Sequence, residues 1–193
     1  MKRIGIFGGS FNPPHVGHIA LAEAIVKADL VDEVWMVLSP LNPFKQTDGS
    51  LAPDSDRMAM LRLAVDGHPS LKASDIELTM PRPNYTVNTM ERLRALNPDC
   101  RFRLIIGQDN WQAFDRWRDA DTLRRLYSPI VYRRAGADGR TGDIVGAETL
   151  SDAPLLPVSS TQIRERIACG LPVNNMVPTA VYRYIREHHL YGA

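Results

Sequence analysis

The chain has 193 residues, 44% hydrophobic and 23% charged, with 23 basic against 22 acidic side chains and a net charge of +1. That composition belongs to a soluble globular protein long enough to bury a sizeable core. The balanced charge excludes a bulk electrostatic hold on nucleic acid or a membrane surface, so any cationic site must be local.

Apolar runs and helical patterns alternate along the chain. Residues 3–7 predict a buried strand that leads into Gly8-Gly9-Ser10-Phe11-Asn12-Pro13-Pro14-His15-Val16-Gly17-His18. A helix is expected over 19–28, with Gly17 and His18 at its entry, and a second strand over 34–38. Residues 41–53 read as a loop. Asp54-Ser55-Asp56 then signals a helix start that places Met58, Leu61 and Val65 on one face. Residues 72–78 read as extended and 86–96 as helix. Strands follow over 102–106 and 129–132, the first ending in Gly107-Gln108-Asp109. Residues 135–142 read as an exposed loop, Ser159-Ser160-Thr161 opens a helix, and 179–188 forms the last one. Strands alternating with helices predict an α/β fold, a Rossmann-like doubly wound parallel sheet with helices on both faces. Residues 1–193 are expected to be one domain, with the C-terminal helices (about 159–190) packing as part of it. The two strands ending in GGSFNPPH and GQDN are expected side by side at the switch point, where such sheets bind ligands. No apolar run approaches the roughly 20 residues of a membrane span. The first eight residues read as strand rather than a cleavable signal, and Cys100 and Cys169 lack metal or redox spacing, so a cytoplasmic protein is expected.

Glycines at a strand exit let backbone approach a ligand, and a helix start offers unpaired N–H groups and a positive dipole end. His15 and His18, three apart, share one helix face there, and Gly17 leaves room for a ligand against the backbone. The site is built to hold phosphate. A plain helix entry, with both rings satisfied by carbonyls, remains open, as does a metal pair that would lack a third ligand at typical spacing. In Ser159-Ser160-Thr161-Gln162-Ile163-Arg164 at least one hydroxyl is expected to cap the helix, and Arg164, one turn in, could reach the same anion.

GGSFNPPHVGH resembles the (T/S)-F-x-P-x-H-x-G-H signature of the nucleotidyltransferase superfamily, and SSTQIR resembles its S-S-T-x-I-R signature. Both in one chain and in this order are highly specific. Over essentially its whole length the chain is similar to the bacterial nicotinate-nucleotide adenylyltransferases, with support from Asn42-Pro43-Phe44-Lys45, Pro83-Asn84-Tyr85-Thr86-Val87, Ile106-Gly107-Gln108-Asp109 and Arg133-Arg134-Ala135-Gly136. The resemblance implies transfer of AMP from ATP to nicotinate mononucleotide, on the route to NAD. It implies that His15, His18, Lys45 and Arg164 are catalytic, with Mg²⁺ arriving on the ATP phosphates and no dedicated protein ligands for it. On the ATP side it places Gly8, Gly9, Ser10, Phe11, Gly107, Asp109, Ser159, Ser160, Thr161 and Ile163. On the mononucleotide side it places Asn12, Lys45, Tyr85, Thr86, Trp117 and Arg134, with Trp111 competing for the ring and Arg133 for the phosphate. The chain departs from the common pattern at Ser10, Asn12, Phe44 and Ala135, which stand where Thr, Asp, His and Pro are frequent. The same chemistry on nicotinamide mononucleotide or pantetheine phosphate, and a nucleotide sensor without turnover, are the competing readings. Partners are expected to be small molecules, with no nucleic acid and no membrane; a homo-oligomer is left open.

Overall fold

A computed structural model describes residues 1–40, 51–132, 146–150, 154 and 156–193. Six strands form one parallel sheet: β1 (Lys2–Gly9), β2 (Glu33–Leu38), β3 (Leu71–Ser74), β4 (Cys100–Gly107), β5 (Ile130–Tyr132) and β6 (Glu148–Leu150), in the order β3-β2-β1-β4-β5-β6. The chain winds outward from β1 to β3, returns to lay β4 against the free edge of β1, and winds outward again. The order reverses between β1 and β4, and at the carboxyl ends of the strands flanking such a reversal these sheets bind ligands. The expected switch point is therefore where the structure has it.

Side chains alternate across the strands, and the two faces carry separate halves of the core. Ile4 and Ile6 of β1 join Phe102, Leu104 and Ile106 of β4 on one face, whereas Phe7 and Ile105 point to the other. The first face is covered by α3 (Thr86–Leu96) through Val87, Met90 and Leu93, and by α5 (Ala120–Tyr127) through Leu123 and Tyr127. The second is covered by α1 (Val16–Lys27), α2 (Asp54–Val65), α6 (Ser160–Ala168) and α7 (Thr179–Glu187), which bring Ile25, Leu61, Ile163 and Val181 into the same cluster. Between β4 and α5 lies the short α4 (Gln108–Trp111). Among the described residues, no helix is long and apolar enough to cross a membrane.

Several elements differ from the sequence reading. α1 begins at Val16, not at residue 19, so both histidines belong to the helix start. Only Leu71–Ser74 of the extended stretch is strand; Ile76–Thr79 turns into a 3-10 helix. α4, α5 and β6 were not expected. β6 is three residues long with only Leu150 buried, too short to show a period.

Two buried charged groups tie down the loops at the carboxyl edge. Arg57 of α2 is completely buried. Its Nε donates to Ala52 O (2.9 Å), its Nη1 to Ser10 O (2.7 Å) and Ser39 O (2.9 Å), and its Nη2 to Pro40 O (3.3 Å) and to the Asp54 carboxylate. The other is Glu77, whose Oε1 accepts from Thr89 Oγ1 of α3 at 2.8 Å. Its main-chain oxygen takes Asn84 Nδ2 at 2.9 Å. Burial pushes the Glu77 carboxyl above the ordinary carboxylate range, against the opposing bonds from Thr89 and Ser39.

Truncating Arg57 leaves buried carbonyls without donors and Asp54 without its buried partner. Arg57→Ala should lower the unfolding free energy by about 3–5 kcal/mol in urea titrations; a loss below about 1 kcal/mol would mean that water replaces the guanidinium. A raised folded-state pKa makes the native protein bind more protons than the unfolded chain, so stability falls as pH climbs past the ordinary glutamate value. Glu77→Gln should therefore gain stability relative to wild type as pH climbs above the ordinary glutamate value, read by thermal unfolding across a pH series. A difference independent of pH would refute the burial effect.

Candidate active site

The exit of β1 holds the first half of the site. Among the described residues, a Cβ built on Gly8 meets nothing within 4 Å, so none of them fills the space above this residue. Gly9 is backed by the Phe11 ring, 3.0–3.3 Å from where its Cβ would stand. Phe11 takes a left-handed φ of 43° and is buried, edge-on to Phe7 (5.7 Å between centroids) and to His18 (5.0 Å). The chain then passes a cis Asn12–Pro13 bond into His15, the extended residue that precedes α1.

His15 and His18 are joined by backbone and by ring. His15 N–H donates to His18 Nδ1 at 3.2 Å, and the two rings stack 3.6 Å apart at 26°. With Nδ1 accepting, Nε2 is the nitrogen of the His18 ring that can donate. The helix start contributes less than expected. Val16 N–H is taken by Met176 O at 3.1 Å and His18 N–H folds back to His15 O at 3.0 Å. Two of the helix-start amides are thus taken up within the protein. A Cβ at Gly17 would stand 3.1 Å from the His15 ring and 3.1 Å from Val158 Cγ1, so the glycine also lets these two side chains approach closely.

The second half arrives from far along the chain and docks on the first. Ser159 caps α6, its Oγ accepting from Gln162 N–H at 3.2 Å. Ser160 Oγ donates to Pro13 O at 2.9 Å, and Arg164 Nη1 donates to Asn12 O at 3.0 Å. Two segments about 150 residues apart thus form one surface. Thr161 is exposed beside them. The Ile163 side chain is buried in the core and its amide donates to Ser159 O. Asn12 is buried as well. It is 3% exposed, and its Oδ1 accepts from Ala52 N–H (3.0 Å) and from the Tyr191 hydroxyl (2.8 Å), so this oxygen faces the protein interior.

At the neighbouring strand, Phe7 of β1 pairs with Ile105 of β4, so Gly9 and Gly107 lie at the same level two residues further on. Gly107 is buried and precedes α4, with Asp109 exposed in the first turn. The aromatic candidates gather on the α3 and α5 side. Trp111 stacks on Phe114 (4.6 Å, 26°) with the Arg124 guanidinium 5.6 Å from its ring, whereas Trp117 only tilts against Phe114 at 5.4 Å. Arg118 lies 4.8 Å over the Tyr85 ring, which joins the Trp117 segment to the start of α3. Thr86 opens that helix, where main-chain N–H groups lack intrahelical acceptors. Lys45, Arg133 and Arg134 lie outside the described residues, as do Phe44 and Ala135. The residues that sequence reasoning missed are Arg57 and Tyr191, for which the chain carries no local signal. Open backbone at Gly8, imidazole donors and a guanidinium beside them suit two phosphorylated groups held against one another.

Comparison with known proteins agrees. The family model described as cytidylyltransferase-like matches residues 6–166. The probable nicotinate-nucleotide adenylyltransferase of Bacteroides fragilis is 40% identical over 183 residues, covering 95% of this chain and 90% of that protein. The protein of the same name from Bacillus pumilus is 37% identical and covers 99% of both. Among solved structures, the Plasmodium falciparum nicotinic acid mononucleotide adenylyltransferase in complex with NaAD superposes with a TM-score of 0.80 over 99% of this chain and 98% of its own. At 18% identity that likeness speaks for the fold alone. With relatives this similar over nearly the full length, the chain belongs to the cytidylyltransferase-like family, among its nicotinate-nucleotide adenylyltransferases.

Proposed function

We propose that this chain transfers the adenylyl group of ATP to nicotinate mononucleotide, as one nucleotidyltransferase domain that includes the C-terminal helices. The observation that carries the reading is the docking of the α6 start on the His15–His18 turn, through Ser160 and Arg164, at the switch point of the sheet. The names of the relatives support the same activity.

In this reaction a phosphate oxygen of the mononucleotide attacks the α-phosphorus of ATP. The bond from that phosphorus to the oxygen bridging toward the β-phosphate breaks, and pyrophosphate leaves. The attacking phosphate is already ionised at neutral pH, so no general base is required. The protein's task is to align two anions and to offset charge at the α-phosphate. His18 serves through Nε2–H, and the stacked His15 beside it completes the pair. Arg164, oriented by its bond to Asn12 O, and Lys45 hold the β- and γ-phosphates. Gly8, Gly9, Ser10 and Phe11 line the turn below them, and Gly107 with Asp109 meets ribose and adenine. The donors at this turn are N–H groups, which suit phosphate oxygens rather than a metal. Mg²⁺ would accordingly be carried by the nucleotide rather than by protein ligands, and would offset negative charge on the departing pyrophosphate.

For the acceptor, Trp117 stacks on the pyridine ring, since Trp111 is already covered by Phe114 and Arg124. Tyr85 borders it, and Thr86 N–H at the start of α3 meets the ring carboxylate. A helix N-terminus favours an anion, whereas a carboxamide would need an acceptor for its NH₂. Arg134 takes the acceptor phosphate. With ATP and Mg²⁺, pyrophosphate release should show a kcat/KM for nicotinate mononucleotide at least about tenfold above that for the nicotinamide form. Equal rates would remove the carboxylate preference, and no release with either would overturn the reaction. His18→Ala should lower kcat by about two to four orders of magnitude, the scale of losing one donor to developing charge. A folded variant with near-normal kcat would take His18 out of the chemistry.

A further inference from the structure

The last turn of the chain reaches back into the phosphate-handling turn. After α7 the backbone reverses through His189 (φ 52°) and Tyr191 (φ 60°), both in the left-handed region, within a short turn at Leu190–Gly192. Non-glycine residues hold such angles only where the surroundings over-determine them, and such sites cluster at functional positions. Here the turn is seated on the end of α6: a Cβ on Gly192 would stand 3.6 Å from Ala168 Cα. Leu190, Tyr191 and Ala193 pack against the core cluster of that face. What this conformation delivers is one phenol. The Tyr191 hydroxyl donates to Asn12 Oδ1 at 2.8 Å. The same oxygen takes Ala52 N–H at 3.0 Å, and the Asn12 main-chain oxygen takes Arg164 at 3.0 Å. Burial raises the phenol above its usual pKa, against the opposing charges of Arg164 and Arg57, so it stays a donor at working pH.

We propose that Tyr191 is a positioning residue for adenylyl transfer: its hydroxyl fixes the Asn12 side chain and so holds the turn from which His15, His18 and Arg164 meet the phosphates. The proposal rests on the reaction argued above. Ala52 N–H and the phenol converge on one amide oxygen, which sets the rotamer of Asn12. The Asn12 carbonyl in turn aims the Arg164 guanidinium. Without the phenol that oxygen loses one of its donors. The turn then samples geometries in which the phosphates are held out of line, which lowers kcat more than binding.

Tyr184 provides a control for plain stability. Its hydroxyl donates to Asp56 Oδ1 at 2.9 Å, joining α7 to α2 with no bond to the catalytic turn. Tyr191→Phe should lower kcat about tenfold with each KM within about threefold of wild type, while Tyr184→Phe keeps kcat within about twofold. Wild-type kcat in Tyr191→Phe, or an equal loss in Tyr184→Phe, would overturn the proposal. Amide hydrogen exchange reads the tether without turnover. Tyr191→Phe should speed exchange in peptides spanning residues 8–18 and leave α7 protected, and unchanged protection of that turn would refute the tether. Should wild type release no pyrophosphate, the proposed reaction falls, and the exchange result still decides whether Tyr191 holds the turn.

Discussion

The guanidinium of Arg57 touches no solvent and donates to main-chain oxygens from three separate parts of the chain: Ser10 after β1, Ser39 and Pro40 after β2, and Ala52 ahead of α2. A parallel sheet puts its strand ends side by side but leaves the loops beyond them without ladder partners. Buried carbonyls there need donors, and one planar group with five N–H donors can serve several loops at once. The Asp54 carboxylate balances the buried charge and is shared with Arg82 at 2.9 Å. The position of the glycine turn relative to the second strand therefore depends on a residue that sits below the crevice.

Above that base, the histidine turn is held from three directions. Phe11 closes it from the core side and Ser160 grips Pro13 O from α6. Arg57 and Tyr191 bracket it at Ser10 O and Asn12 Oδ1. Reactions that need no proton transfer gain their rate from alignment and charge, so rigidity of the donors matters more than their acidity. The bond from His15 N–H to His18 Nδ1 orients the His18 ring. The two rings stack closely, and a Cβ at position 17 would press on the His15 ring at 3.1 Å.

Much of this was legible in the chain. The alternation of apolar runs revealed the sheet and its switch point, because a strand buried on both faces must be continuously apolar. The glycine-histidine turn and the serine-rich helix start stood out, since backbone approach and helix capping each need particular residue types at fixed spacing. α3 was readable to its ends, whereas α5 and β6 were not. α5 takes its identity from Leu123 and Tyr127 meeting the sheet, and β6 has too few residues to carry a period.

The sequence by itself determined the fold class and singled out the glycine-histidine and serine-rich segments, because those depend on local residue types and periodicity. Only the tertiary structure decided that Ile163 belongs to the core, that Asn12 turns its oxygen inward, and that Arg57 and Tyr191 brace the histidine turn. Those outcomes depend on which backbone carbonyls and side-chain oxygens are brought within about 3 Å of a donor. Contacts between residues as distant as Asn12 and Tyr191 are set by how the helices pack on the sheet, for which no spacing along the chain carries a signal.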